Sequence, residues 1–351
     1  MPGSTLTAVN YTLGSEHLTY EDIESRFGSE AAAKVFKGSG IRNRRIAAAG
    51  VCGSDLAFQS AGELLDKRPE LRERIDLLVH CTQTPDYLMP TTACLLQERL
   101  KLRKECAAFD LNLGCSQYVY ALSVAHSMLV SGVAQCALVT TGDTMTRTIH
   151  PRDRAILPIL GDAGSASILE VSGANTDAPG FLGFELGTDG SGAKYLMLPA
   201  SGFRQPRSAE TAAEVTDAEG NTRTAENFYM NGAAIFHFAI TVVPAAIQKL
   251  LGKLGLTFDD LDLVLFHQAN QYMLDYLYKK LRIPPEKAFC YLENIGNTSG
   301  TTLPVVLAEA VRQRRVKAGS LVLMIAFGVG LSWGATVFRA PAELIAGEAT
   351  S

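Results

Sequence analysis

Three residues far apart in the chain, Cys115, His267 and Asn297, could together run thioester chemistry. Cys115 follows a run ending in DLNLG. It precedes SQYVYALSVAHSMLVSG (116–132), whose apolar residues recur at helical spacing. A thiol at such a strand-to-helix turn faces the free N–H groups and the positive end of the helix. Both favour the thiolate, so a lowered thiol pKa is expected. Gly114 permits the tight turn that exposes the sulfur. His267 closes LDLVLF at HQAN, and the carboxyl end of a buried strand is where α/β folds place sites. Asn297 sits in GNTSG, and FGVGLSWG (327–334) is a glycine-spaced loop whose backbone N–H groups could meet a ligand. Singly, each reads more simply as a packed cysteine, a structural histidine, a loop asparagine or a strand-to-strand turn. Together they make a nucleophile that attacks and releases a thioester, beside two side chains able to donate to one carbonyl oxygen. That pair is what a thioester enolate requires.

The elements that must position them alternate between strand-like and helical, which reads as an α/β fold. Strands are expected at 75–81, 106–113, 136–141, 166–171, 261–267, 321–327 and 335–340, and helices at 116–132 and 302–319. The landmarks repeat. Asp76-Leu-Leu-Val-His-Cys-Thr resembles Asp262-Leu-Val-Leu-Phe-His-Gln 186 positions later, and the strand at Cys136 resembles the one at Ser320, 184 later. Gly164-Ser-Ala-Ser-Ile-Leu resembles Gly334-Ala-Thr-Val-Phe, and the helix opening at Cys115 matches the segment opening near Asn297–Ser299. This is an internal duplication, 1–173 carrying the cysteine and 174–351 carrying the histidine and asparagine, with the boundary in the turn-rich SGANTDAPG. Equivalent loops of the two halves would converge on one site. Residues 201–227 are polar and form either a surface loop or a flap over the site.

Composition bounds the rest. The 351 residues carry 32 Lys and Arg against 36 Asp and Glu, too balanced for wrapping nucleic acid. The apolar stretch Leu321–Leu331 is far short of a membrane span of ~20 residues, and MPGSTLTAVNYTLG lacks the basic-then-apolar pattern of a signal peptide. Seven cysteines with no C-x-x-C pair suggest neither a zinc cage nor a disulfide framework. A cytoplasmic enzyme with no nucleic-acid or membrane partner is expected.

The chain resembles the thiolase superfamily and, within it, the β-ketoacyl-acyl-carrier-protein synthase III family. The matching segments are GIRNRRIA (40–47), FDLNLGCS (109–116), YALSVA (120–125), GDAGSAS (161–167), HQAN (267–270), GNTSG (296–300) and FGVGLSWG (327–334), in the family's order along nearly the whole chain. The resemblance implies a thiolase-like duplicated αβαβα layered fold, a homodimer, and a catalytic triad of Cys115, His267 and Asn297. It implies an oxyanion hole made by the N–H groups of Cys115 and Val329. It implies decarboxylative condensation of an acyl thioester with a malonyl-type thioester, with no metal or redox cofactor. The alternatives are acyl transfer to an alcohol or amine, or a non-catalytic heterodimer partner.

By the same resemblance, the substrates are thioesters of CoA or of acyl-carrier-protein phosphopantetheine. Arg42, Arg154, Asn270, Lys279 and Lys280 stand at substrate- or carrier-binding positions, and Met89 stands where a side chain donated across the dimer limits acyl length. Arg44, Arg45, Arg147 and Arg152 could add to a basic patch for an acidic carrier. The chain departs from the family at six positions. Lys34 and Gly38 replace the Trp and Arg of the adenine clamp. Tyr272 and His237 replace basic residues of the carrier surface. Gln117 stands where a small residue is common. Val329 replaces glycine in the oxyanion loop. These changes suggest a member outside the housekeeping initiators of fatty-acid synthesis.

Overall fold

The computed structural model describes residues 3–173 and 179–346. Residues 174–178, inside the expected boundary, lie outside the described residues.

Two sheets form the frame. The first takes β1 (Gly3–Leu13), β2 (Leu77–Cys81), β3 (Ala107–Leu111), β4 (Cys136–Asp143) and β5 (Ala163–Ser172), in the order β1-β5-β4-β2-β3. The second takes β6 (Gly180–Thr188), β7 (Leu263–Phe266), β8 (Leu321–Gly328) and β9 (Ser332–Arg339), in the order β7-β8-β9-β6. Read from the opposite edge, the second sheet repeats the first. An antiparallel pair (β1·β5, β6·β9) is followed by a second antiparallel pair (β5·β4, β9·β8) and then by a parallel one (β4·β2, β8·β7). A parallel bridge from Val264 to Ala288 takes the place of β3.

The repeat extends to single hydrogen bonds. The Asp76 N–H donates to the Cys136 carbonyl, and the Asp262 N–H donates to the Leu321 carbonyl. The Asp76 carboxylate accepts from the Cys136 N–H, and that of Asp262 from the Leu321 N–H. Cys136 therefore corresponds to Leu321 rather than to Ser320, one residue later than the sequence match suggests.

Period-two alternation decides which strand residues face which layer. Leu77, Val79 and Cys81 of β2 and Leu263, Leu265, Val322 and Met324 of β7 and β8 point inward. There they bury α3 (Gln117–Val130) and α6 (Thr302–Arg312) between the sheets. Leu78, Leu138 and Ile168 point outward onto α2 (Gly53–Lys67). Leu323, Ile325 and Val337 point outward onto α4 (Gly232–Leu254) and α5 (Gln271–Leu281). The result is five layers, αβαβα.

Three expectations change. The helix expected over 302–319 ends at Arg312, capped through Gln313, and the chain then turns toward β8. Strands β1 and β6 and helix α4 are additional to the elements read from sequence. At 23 residues α4 has the length and composition to cross a membrane, but Ile235, Phe238, Ala239, Val243 and Ile247 are buried against the second sheet. Segment 201–227 carries a small hairpin, Val215–Thr216 with Thr222–Arg223. The Arg223 guanidinium pins it to buried Asp153 at 3.0 Å.

Candidate active site

The middle layer brings the chemistry together. Both of its helices start at the same edge of their sheets, and their N-terminal turns face one another. Cys115 precedes α3 through a turn in which the Gln117 N–H donates to the Gly114 carbonyl at 2.8 Å. The stretch 327–334, expected as a loop, is instead the end of β8, a tight turn at 329–331 and the start of β9. The Cys115 thiol rests on it, and a Cβ on Gly328 would lie 2.8 Å from Sγ, so the end of β8 needs glycine there. His267 follows β7 directly and is 2 % exposed. Its Nδ1 lies 2.6 Å from the Thr302 hydroxyl at the start of α6, and its ring meets Phe327 edge-on at 5.7 Å. Asn297 is held by backbone bonds on both sides, its N–H to the Ile159 carbonyl and its carbonyl to the Gly161 N–H. The Ser299 N–H donates to Asn297 Oδ1 at 2.9 Å, which leaves Nδ2 as the donor end of the amide.

Cys115, His267 and Asn297 line one cavity of about 90 Å³ with Ser299, Gln83 and Val329. Apart from Asn270, the remainder of its wall is mostly apolar, including Met145, Leu160, Leu196, Phe228, Met230 and Met273. Outside it lies a groove of about 950 Å³ flanked by α1 (Ser29–Ser39), with Lys34, Gly38, Arg154 and Tyr272 in its lining. Asn270 and Ile159 line both spaces. The Asn270 side chain also caps α5, accepting from the Met273 N–H.

The expected lowering of the thiol pKa is reversed. Burial pushes Cys115 up to about 11, assisted by the charge of Asp143. The N–H groups of Val329 and Cys115 and the Ser299 hydroxyl pull the other way without prevailing. Burial also holds His267 down to about 3. Thiol and imidazole are both neutral at ordinary pH. Val329 fits its loop because the positive φ falls on Gly330, at 140°.

Other expected residues are dispersed. Met89 is 80 % exposed on the 83–91 loop and does not reach the cavity of its own chain. Arg42 is at the surface beside Glu21, and Lys280 donates to the Ile240 carbonyl. Lys279 lies in the last turn of α5. Arg154 reaches the groove, but its guanidinium sits over the Phe27 ring and donates to the Phe27 carbonyl. Arg44 cannot serve a surface patch. It is 1 % exposed and donates to the Pro158 and Thr19 carbonyls. Arg45 and Arg147 are tied to backbone carbonyls, and Arg152 pairs with Glu214. Gln83, Ser299 and Thr302 join the site without having been singled out. The hydroxyls spaced through GNTSGTT are the only sequence signal for the latter two.

Comparison with known proteins gives the family. Residues 109–190 match the family described as 3-oxoacyl-[acyl-carrier-protein] synthase III, and residues 251–340 match its C-terminal part. A β-ketoacyl-[acyl-carrier-protein] synthase III of Symbiobacterium thermophilum is 35 % identical over 334 residues, 95 % of this chain and 97 % of that protein. The chain belongs to the β-ketoacyl-acyl-carrier-protein synthase III family. A crystal structure of a 3-oxoacyl-(acyl-carrier-protein) synthase III superposes with a TM-score of 0.93 at 37 % identity, covering 96 % of this chain and all of that one. The corresponding synthase of Burkholderia xenovorans gives 0.89 at 32 %, covering 98 % and 95 %. The duplicated five-layer architecture is thus the thiolase-like fold of this synthase family. The chain is an acyltransferase of the decarboxylative condensing type.

Proposed function

We propose that Cys115, His267 and Asn297 carry the condensation. The observation that supports this reading is that one mostly apolar cavity is lined by a thiol at a helix mouth together with an imidazole and an amide from the second half. The Cys115 thiol attacks the acyl thioester, its proton leaves with the departing thiol, and the Cys115 and Val329 N–H groups hold the oxyanion. A malonyl-type thioester then enters. Its carbonyl oxygen accepts from His267 and Asn297 while the C–C bond to the carboxylate breaks and CO2 departs. The enolate carbon attacks the acyl carbonyl, and the expelled Cys115 thiolate takes up one proton. The product is a β-ketoacyl thioester, and these steps call for no metal or redox cofactor.

The same reading places the division of the halves at 1–173 and 174–351, and makes the enzyme a homodimer. The consecutive exposed Tyr87, Leu88 and Met89 (61, 78 and 80 %) are the kind of surface that a second copy covers, which brings Met89 to the partner's acyl pocket. Seven free thiols fit a reducing, cytoplasmic setting.

Intact-protein mass after incubation with acyl thioesters should show one acyl group, absent in Cys115→Ala. His267→Ala and Asn297→Ala should still acylate, while CO2 release from the malonyl thioester falls ~10²-fold or more, the scale of losing an oxyanion donor. Unchanged CO2 release in both would leave plain acyl transfer as the activity.

The reading also favours an acyl-carrier-protein donor over acyl-CoA. Lys34 offers no aromatic face, and Arg154 already rests on Phe27. Lost stacking of ~1–3 kcal/mol corresponds to roughly 5- to 150-fold in kcat/KM between matched donors. Space is open around a Cβ at Gly38, so Lys34→Trp with Gly38→Arg can be accommodated. That double substitution should raise kcat/KM for the CoA donor alone. A native preference for CoA would refute this part.

A further inference from the structure

His267 can donate to a substrate carbonyl only if its proton sits on Nε2, and nothing in a neutral imidazole guarantees that. The tautomer is set by what the other nitrogen meets. Nδ1 has one polar neighbour among the described residues, the Thr302 hydroxyl at 2.6 Å. That hydroxyl has one proton and two acceptors in reach, Nδ1 and the Ser299 carbonyl at 3.1 Å. The Ser299 carbonyl already accepts from the Thr302 backbone N–H, whereas Nδ1 has no other donor among the described residues. Sending the hydroxyl proton to Nδ1 satisfies both acceptors. Sending it to Ser299 leaves that carbonyl doubly served and forces the imidazole proton onto Nδ1, away from the cavity.

We propose that Thr302 is the positioning residue that fixes His267 as the Nε2–H tautomer and so makes it a hydrogen-bond donor to the malonyl thioester carbonyl. This rests on the assignment of His267 above. The placement has a structural logic. Thr302 is the first residue of α6, beside Nδ1 and outside the cavity lining, so it orients the imidazole without occupying substrate space. The same turn orients the second donor, because the N–H of Ser299 fixes the Asn297 amide. One turn, 297–302, thereby sets the polarity of both groups that face the carbonyl. Burial keeps the ring uncharged, so a tautomer rather than a charge state is what Thr302 controls.

The test is ¹⁵N NMR of the histidine-labelled enzyme at neutral pH, with His267 assigned by its loss in His267→Ala. Native enzyme should show a protonated-type Nε2 and an unprotonated-type Nδ1. Thr302→Val removes the donor at nearly constant volume. It should broaden or average the two nitrogens and slow CO2 release from malonyl-carrier protein about 10- to 100-fold, while acylation of Cys115 changes less than about threefold. Thr302→Ser should restore both spectrum and rate. A native spectrum with the proton on Nδ1 overturns the proposal without any variant. So does a Thr302→Val enzyme whose spectrum and decarboxylation match the native. If His267→Ala itself leaves decarboxylation intact, it is the assignment of His267 that has failed, whatever the tautomer.

Discussion

The two halves of the molecule share a frame and differ at two positions that carry chemistry, the helix mouth and the strand end. With the register fixed by Asp76 and Asp262, His267 in the second half corresponds to Cys81 in the first. The helix starts at Gln117 and Thr302 correspond, which sets Cys115 opposite Gly300. The first half therefore has a thiol at the helix mouth where the second has no side chain. The second has an imidazole at the strand end where the first has a thiol sealed in the core. Even the partners correspond. The Cys81 thiol donates to the backbone carbonyl of Gln117, and His267 meets the hydroxyl of Thr302. A symmetric scaffold brings two equivalent edges together, and the chemistry comes from breaking the symmetry there. One half presents the nucleophile and leaves its imidazole position inert, and the other does the reverse.

The sharpest way to break this comparison is through the two thiols. Both are raised by burial, but Cys115 opens onto the cavity and Cys81 is 0 % exposed. Alkylation by iodoacetamide should label Cys115 and leave Cys81 untouched while the fold persists. Only the thiolate reacts, and its fraction rises about tenfold per pH unit below the pKa. With Cys115 at about 11, the rate should climb ~100-fold between neutral pH and two units above it, with no plateau. A plateau near neutrality would reveal a thiolate–imidazolium pair, contradicting the neutral His267 held at about 3.

That expectation reverses the one read from sequence, and the reason shows what sequence can carry. Residue type and local pattern are sequence properties, so the apolar runs LDLVLFH and LVLMIAF and the order of Cys115, His267 and Asn297 are legible there. The thiol pKa is not, because it depends on how tightly the end of β8 packs against Sγ. Arg44 reads as one of two adjacent surface cations, yet tertiary packing buries it against two carbonyls that local sequence does not announce. Strand β1 escapes a local reading because its partner, β5, lies more than a hundred residues away. The one-residue error at Ser320 comes from matching side chains where backbone bonds set the register.

A smaller effect tests the correspondence at the helix mouths. Gly300 faces Gln117, and a Cβ there would lie 2.2 Å from Cγ, Cδ and Nε2 of that side chain. The Gln117 amide cannot simply swing aside, since Nε2 donates to the buried Asp143 carboxylate at 3.1 Å. The two helix starts are thus fitted as a large residue against none. Gly300→Ala should cost about 1–3 kcal/mol, the usual range for overpacking a full site. Gln117→Ala should cost about 1–3 kcal/mol for a different reason, because Asp143 keeps Thr82 and Gln83 as donors but loses the amide. The informative quantity is the coupling. With Gln117 shortened, the space that a methyl group at position 300 needs is open, so the second substitution should add little. Urea midpoints of the native enzyme, the two single variants and the double variant should then give a favourable interaction of about 1–2 kcal/mol, well above the scatter for independent sites. If Gly300→Ala costs the same in both backgrounds, Gln117 is not what excludes a side chain at 300. The glycine opposite Cys115 would then need a backbone explanation, and the complementary fit of the two helix mouths would fall.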